Sequence, residues 1–144
     1  MLYFLSELSD GGDAFNLFRY ITFRSVGAFF TALILSFIFG APLIRRLKKM
    51  QKHGQPIRED GPTSHIIQKA GTPTMGGVLI LGTLLFSSLL WARSDNGYVW
   101  IVLLVTVGFG VIGFLDDYLK VTKNNVKGFS SKARIILGLL ISLI

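Results

Sequence analysis

No cysteine occurs in this chain of 144 residues. Disulfides, thiolate zinc sites and cysteine nucleophiles are thereby excluded. Charge is the next scarcity. Only 16% of the residues are Asp, Glu, Lys or Arg, with 8 acids against 15 bases, where an ordinary soluble domain carries about 25%. The few charges leave three runs without any: 25–44, 70–92 and 96–115. Each is long enough to cross a bilayer, because about 20 helical residues at about 1.5 Å rise match a hydrocarbon core of roughly 30 Å. Internal repeats and low-complexity tracts are missing too. What is present in quantity is apolar: 51% of the residues are hydrophobic and the mean hydropathy is +0.56, more than a water-soluble domain of this size usually shows.

The pattern predicts an all-α, polytopic transmembrane protein. It reads as a single membrane domain over 1–144, with three complete spans at about 24–44, 73–92 and 97–115 and the start of a fourth over 135–144. Ten helical residues cover roughly half of the hydrocarbon core and leave their last carbonyls unpaired in lipid. The chain is therefore expected to be the amino-terminal part of a longer protein. A short surface helix is the other reading of that last run.

The basic residues are sorted. Seven lie in 45–69 and five in 116–134, so 12 of 15 fall in alternate loops. By the positive-inside rule the loops 45–71 and 116–134 are cytoplasmic and the amino terminus is external. The cluster Arg45–Lys52 reads as a topology signal that also attracts anionic lipid. No aromatic residues interleave with it, so nucleic acid is not the expected partner. Glu7, Asp10 and Asp13 stand where a signal peptide would be positive, and the first span is expected to stay as an anchor. Phe15, Phe18, Tyr20, Tyr98 and Trp100 suit an outer interface. Ser94-Asp95-Asn96-Gly97 is a turn signal that folds spans two and three into an antiparallel hairpin.

Three motifs remain. Gly108-x-Gly110-x-x-Gly113 has the spacing of a dinucleotide fingerprint but lies inside an apolar run, where glycines let helices approach closely. Gly71-Thr72-Pro73-Thr74-Met75-Gly76-Gly77 opens the second span. Thr72 is expected to cap and Pro73 to take the first helical position, turning the positive helix end toward an anion beside Lys69. A capped, glycine-packed first turn explains the same residues without a ligand. Asp116 and Asp117 end the third span, at the partially negative end of its dipole. A cation or Lys120 would relieve them, and Mg²⁺ suits one or two carboxylates plus substrate phosphates. A solvated flank is the simpler account of the pair. His53 and His65 are read as solvated loop residues.

Together, Arg58-Glu-Asp60-Gly61-Pro62-Thr-Ser64-His65, the Gly71–Gly77 segment and Gly113-Phe-Leu-Asp116-Asp117-Tyr118-Leu-Lys120-Val121 resemble the bacterial phospho-N-acetylmuramoyl-pentapeptide transferase family. The resemblance implies an inner-membrane enzyme of about ten helices that moves phospho-N-acetylmuramoyl-pentapeptide from its UDP carrier to undecaprenyl phosphate, giving lipid I and UMP. It implies Mg²⁺ as cofactor, catalytic Asp116 and Asp117 that also hold the metal, and substrate contacts from Lys69, Thr72, Thr74 and Lys120. Membrane lipid, both substrates and a homodimer are the partners it implies. The family's further aspartate and histidine cluster would lie beyond Ile144, so an isolated piece of this length is expected to be inactive. The rival readings are a sibling N-acetylglucosamine-1-phosphate transferase and, in another class, a non-catalytic membrane subunit or transporter fragment.

Overall fold

The computed structural model describes residues 1–51, 73–122 and 130–143. Among them every regular element is helical. Two short 3-10 segments, Leu2–Leu8 and Ala14–Arg19, precede α1 (Ile21–Met50), α2 (Gly77–Trp91), α3 (Gly97–Thr122) and α4 (Ser131–Ser142). Helices α1 and α3, with 30 and 26 residues, are long and apolar enough to cross a membrane. None of the most apolar stretch of α1 and 11% of that of α3 is buried. Core helices of a soluble protein hide such surface; these present Phe29, Phe37, Val102 and Leu104 outward, as lipid-facing helices do.

Helices α1 and α3 run past, and α4 starts before, the bounds read from the sequence, whereas α2 is shorter. Helix α1 continues past Ile44 to Met50 and carries the basic cluster on its last turns, with Lys48 and Lys49 complementing the negative helix end. Helix α3 runs through Asp116 and Asp117 to Thr122, and α4 starts at Ser131. Helix α2, at 15 residues, is only about 22 Å long. It begins at Gly77 with Gly76 as N-cap and no side-chain cap. Pro73 is thus not the first helical residue. Met75, with φ +73°, takes the left-handed conformation and interrupts any helix that Pro73 could start.

The helices pack in chain order, α1 on α2, α2 on α3 and α3 on α4. Glycines mark the close approaches. A Cβ on Gly27 of α1 would lie 2.5–2.7 Å from the Trp91 ring. That ring is fixed: its Nε1 donates to Thr31 Oγ1 at 2.9 Å, Phe18 stacks on it at 5.9 Å and Phe23 meets it edge-on at 6.0 Å. On α3, Gly108 faces Ile141 of α4 and Gly110 faces Leu81 of α2, while Gly113 meets nothing within 4 Å. Two of the three spaced glycines therefore serve helix packing, as expected for an apolar run.

The α2–α3 turn closes as its residues predict. Asn96 Oδ1 accepts from the Tyr98 N–H at 3.0 Å. Arg93 pairs with Asp95 at 2.6 Å; this bond holds the Asp95 carboxyl below its ordinary range and raises Arg93. The amino-terminal segment folds onto this end of the molecule. Tyr3 meets two guanidinium groups, Arg24 at 5.0 Å and Arg93 at 4.5 Å from its ring centroid.

Candidate active site

The α2–α3 hairpin brings the loop before α2 beside the last turns of α3. Thr74 Oγ1 donates to Asp117 Oδ2 at 2.8 Å, joining two residues 43 positions apart in sequence. Asp116 is buried. Its Oδ2 pairs with Lys120 Nζ at 2.6 Å, one helical turn on. Its Oδ1 accepts from Arg134 Nη2 at 2.6 Å, across to α4. Lys120 also stands 3.8 Å from Asp117 Oδ1. The unfavourable placing of two acids near a helix carboxyl end is thus relieved by an i,i+4 pair, an i,i+3 pair and a cation from the next helix.

Adjacent helix positions differ by about 100°, and the two carboxylates accordingly face different surroundings. Asp116 is held between two cations. Asp117 is a third exposed, oriented by one hydroxyl, with its second oxygen at the margin of ion-pair distance. Both line a cleft of about 450 Å³ that runs between α2 and α3, with Gly77, Val78, Gly113 and Phe114 among its walls. The cleft is apolar along the helices and acidic at its end. Among the described residues no group of three or more His, Cys, Asp or Glu is placed to hold a metal; the acids at this end of the cleft are the pair Asp116 and Asp117.

Of the residues singled out in the sequence, Thr74, Asp116, Asp117 and Lys120 come together. Lys69, Thr72, His53, His65 and the Arg58–His65 segment lie outside the described residues. Two further participants carry no distinguishing sequence signal. Arg134 reads in the sequence only as one more cytoplasmic charge. Gln51, buried at the carboxyl end of α1, accepts from the Thr74 N–H at 2.9 Å and donates from Nε2 to the Thr74 carbonyl at 3.2 Å.

Residues 69–81 match the family model described as Phospho-N-acetylmuramoyl-pentapeptide-transferase signature 1. This segment contains Thr74 and the start of α2. Similarity extends well beyond it. A phospho-N-acetylmuramoyl-pentapeptide-transferase of Dinoroseobacter shibae is 67% identical over 138 residues, 96% of this chain and 38% of the relative. Proteins of the same name from Ruegeria sp. strain TM1040 and Ruegeria pomeroyi are 63% and 62% identical over the whole chain and 40% of each relative. With the signature falling on the segment that holds Asp117, and this identity along nearly its full length, the chain is similar to phospho-N-acetylmuramoyl-pentapeptide-transferases and spans about two-fifths of the length of the curated relatives it matches.

Proposed function

We propose that this chain, within a complete family member, carries part of the site that transfers phospho-N-acetylmuramoyl-pentapeptide from UDP to undecaprenyl phosphate, giving lipid I and UMP. The site faces the cytoplasm of a bacterial inner membrane, and the amino terminus lies outside. The observation that carries the reading is the meeting of Thr74, Asp116, Asp117, Lys120 and Arg134 at one end of the helices, next to a family signature. In the reaction an oxygen of the lipid phosphate attacks the β-phosphorus of the donor. A phosphorus–oxygen bond forms there, the bond to the bridging oxygen breaks, and UMP leaves with the electron pair.

Two anions must approach each other, and phosphoryl transfer depends on positioning and on neutralising their charge. Lys120 and Arg134 supply positive charge where the lipid headgroup arrives, and Asp116 fixes both cations, positioning the lipid phosphate through them. The apolar cleft beside them suits a polyprenyl chain. Lys69 and Thr72, within the signature segment, complete the substrate contacts. Asp117 is the carboxylate better placed to act at the metal, since Thr74 orients one oxygen and the other is partly open. The oxygen donors fit Mg²⁺, which takes one or two carboxylates plus phosphates; Asp117, with Asp116 behind it and residues elsewhere in the complete protein, would hold it. When bound, the ion supplies charge neutralisation at the transferring phosphates.

The test is UMP release by a complete family member carrying this sequence, given both substrates and Mg²⁺. Asp116→Asn and Asp117→Asn are each expected to lower kcat by about 100-fold or more while membrane insertion is retained. Near-normal turnover in both removes the catalytic assignment. Competition between the muramoyl-pentapeptide donor and UDP-N-acetylglucosamine separates this reading from the sibling transferase.

A further inference from the structure

We infer that Gln51 is a positioning residue: its carboxamide clamps the Thr74 peptide so that the Thr74 hydroxyl orients Asp117. The clamp is two-sided. Thr74 N–H donates to Gln51 Oε1 at 2.9 Å, and Gln51 Nε2 donates to the Thr74 carbonyl at 3.2 Å. An amide that binds both the donor and the acceptor of one residue fixes where that residue's side chain starts, much as a partner strand would. From that fixed backbone the Thr74 hydroxyl reaches Asp117 Oδ2 at 2.8 Å.

Gln51 is itself well anchored. Its backbone N–H caps α1 by donating to the Leu47 carbonyl at 2.9 Å, and the residue is only 6% exposed. Next to the clamped residue, Met75 holds a φ of +73°, a conformation that a side-chain-bearing residue keeps only where its surroundings enforce it. The chain of contacts runs from the end of α1, through the loop before α2, to the acid on α3. A shift of the Thr74 backbone would turn its hydroxyl away from Asp117 and free the carboxylate to rotate.

The inference rests on the reading of Asp117 as a working carboxylate, and its test separates the two. The variants are Gln51→Met, which removes both hydrogen bonds at similar volume, Thr74→Val, and the double variant, in a complete family member assayed for UMP release. Gln51→Met is expected to lower kcat about tenfold with KM for both substrates within about twofold, and to lower kcat less than about twofold further when Thr74 is already Val. Independent, multiplicative losses in the double variant, or an unchanged kcat in Gln51→Met, overturn the relay, because a merely structural clamp has no reason to act through the hydroxyl. Should Gln51→Met fail to fold, Gln51→Glu, which keeps the acceptor for Thr74 N–H, takes its place in the cycle. Asp117→Asn is run alongside: its inactivity together with a normal Gln51→Met enzyme overturns the relay alone, whereas an active Asp117→Asn enzyme overturns the site itself.

Discussion

Asp116 and Asp117 share a helix end but not an environment. Asp116, buried, has a cation on each oxygen at 2.6 Å, whereas Asp117 is held by a neutral hydroxyl. Ion pairs to a largely buried carboxylate resist screening better than exposed ones, but the Arg134 side chain is half exposed, so the contribution of its pair is discounted to about 1 kcal/mol. A double-mutant cycle of Arg134→Gln with Asp116→Asn, read by thermal unfolding in detergent, is expected to give a coupling of that size; additive effects would remove the pair from the site. Part of this is legible in the residues. Lys120 stands four positions after Asp116, and a helix must bring such a pair together. Arg134 and Gln51 are hidden because their partners lie 18 and 23 positions away. Each sits in a basic stretch whose charges have a sufficient explanation in topology, so nothing local distinguishes them.

At the scale of helices, the apolar runs are visible in the sequence and their ends are not. Hydropathy marks where charge begins, yet a helix stops where its hydrogen bonds stop. Helices α1 and α3 therefore continue beyond their apolar segments to Met50 and Thr122. The start of α2 departs from expectation in the opposite direction: Pro73 has the right dihedral preference, but Met75 breaks the chain's path to Gly77. Packing is legible only as a class of residue. Glycines in apolar runs signal close approach, while the partner of each is a tertiary fact. Gly27 is the sharpest case, because the Trp91 ring against it is pinned by Thr31 and Phe18. Gly27→Ala is expected to push α1 from α2 and cost about 1–3 kcal/mol. Gly82→Ala, where a Cβ meets nothing within 4 Å, is expected to leave the unfolding midpoint unchanged or raise it slightly, since alanine favours helix by about 1 kcal/mol. Equal midpoints for the two variants would contradict the packing.

For the whole molecule, the hairpin is the most legible feature, and with it the meeting of the loop before α2 with the end of α3. The native absence of cysteine makes its orientation easy to measure. Ser94→Cys is expected to react with a membrane-impermeant maleimide on intact cells, and Thr122→Cys only after permeabilisation. The reverse pattern would place the acids on the wrong side for a cytosolic donor. The linkage through Asp116 has a consequence for how such variants are interpreted. One oxygen of that carboxylate holds a lysine of its own helix, and the other holds an arginine of the next. Neutralising it therefore unlatches α4 as well as changing the local chemistry, and a dead Asp116→Asn enzyme reports on architecture and reaction together. Among the described residues Asp117 makes no ion pair to another helix, so its variant isolates the chemistry more cleanly.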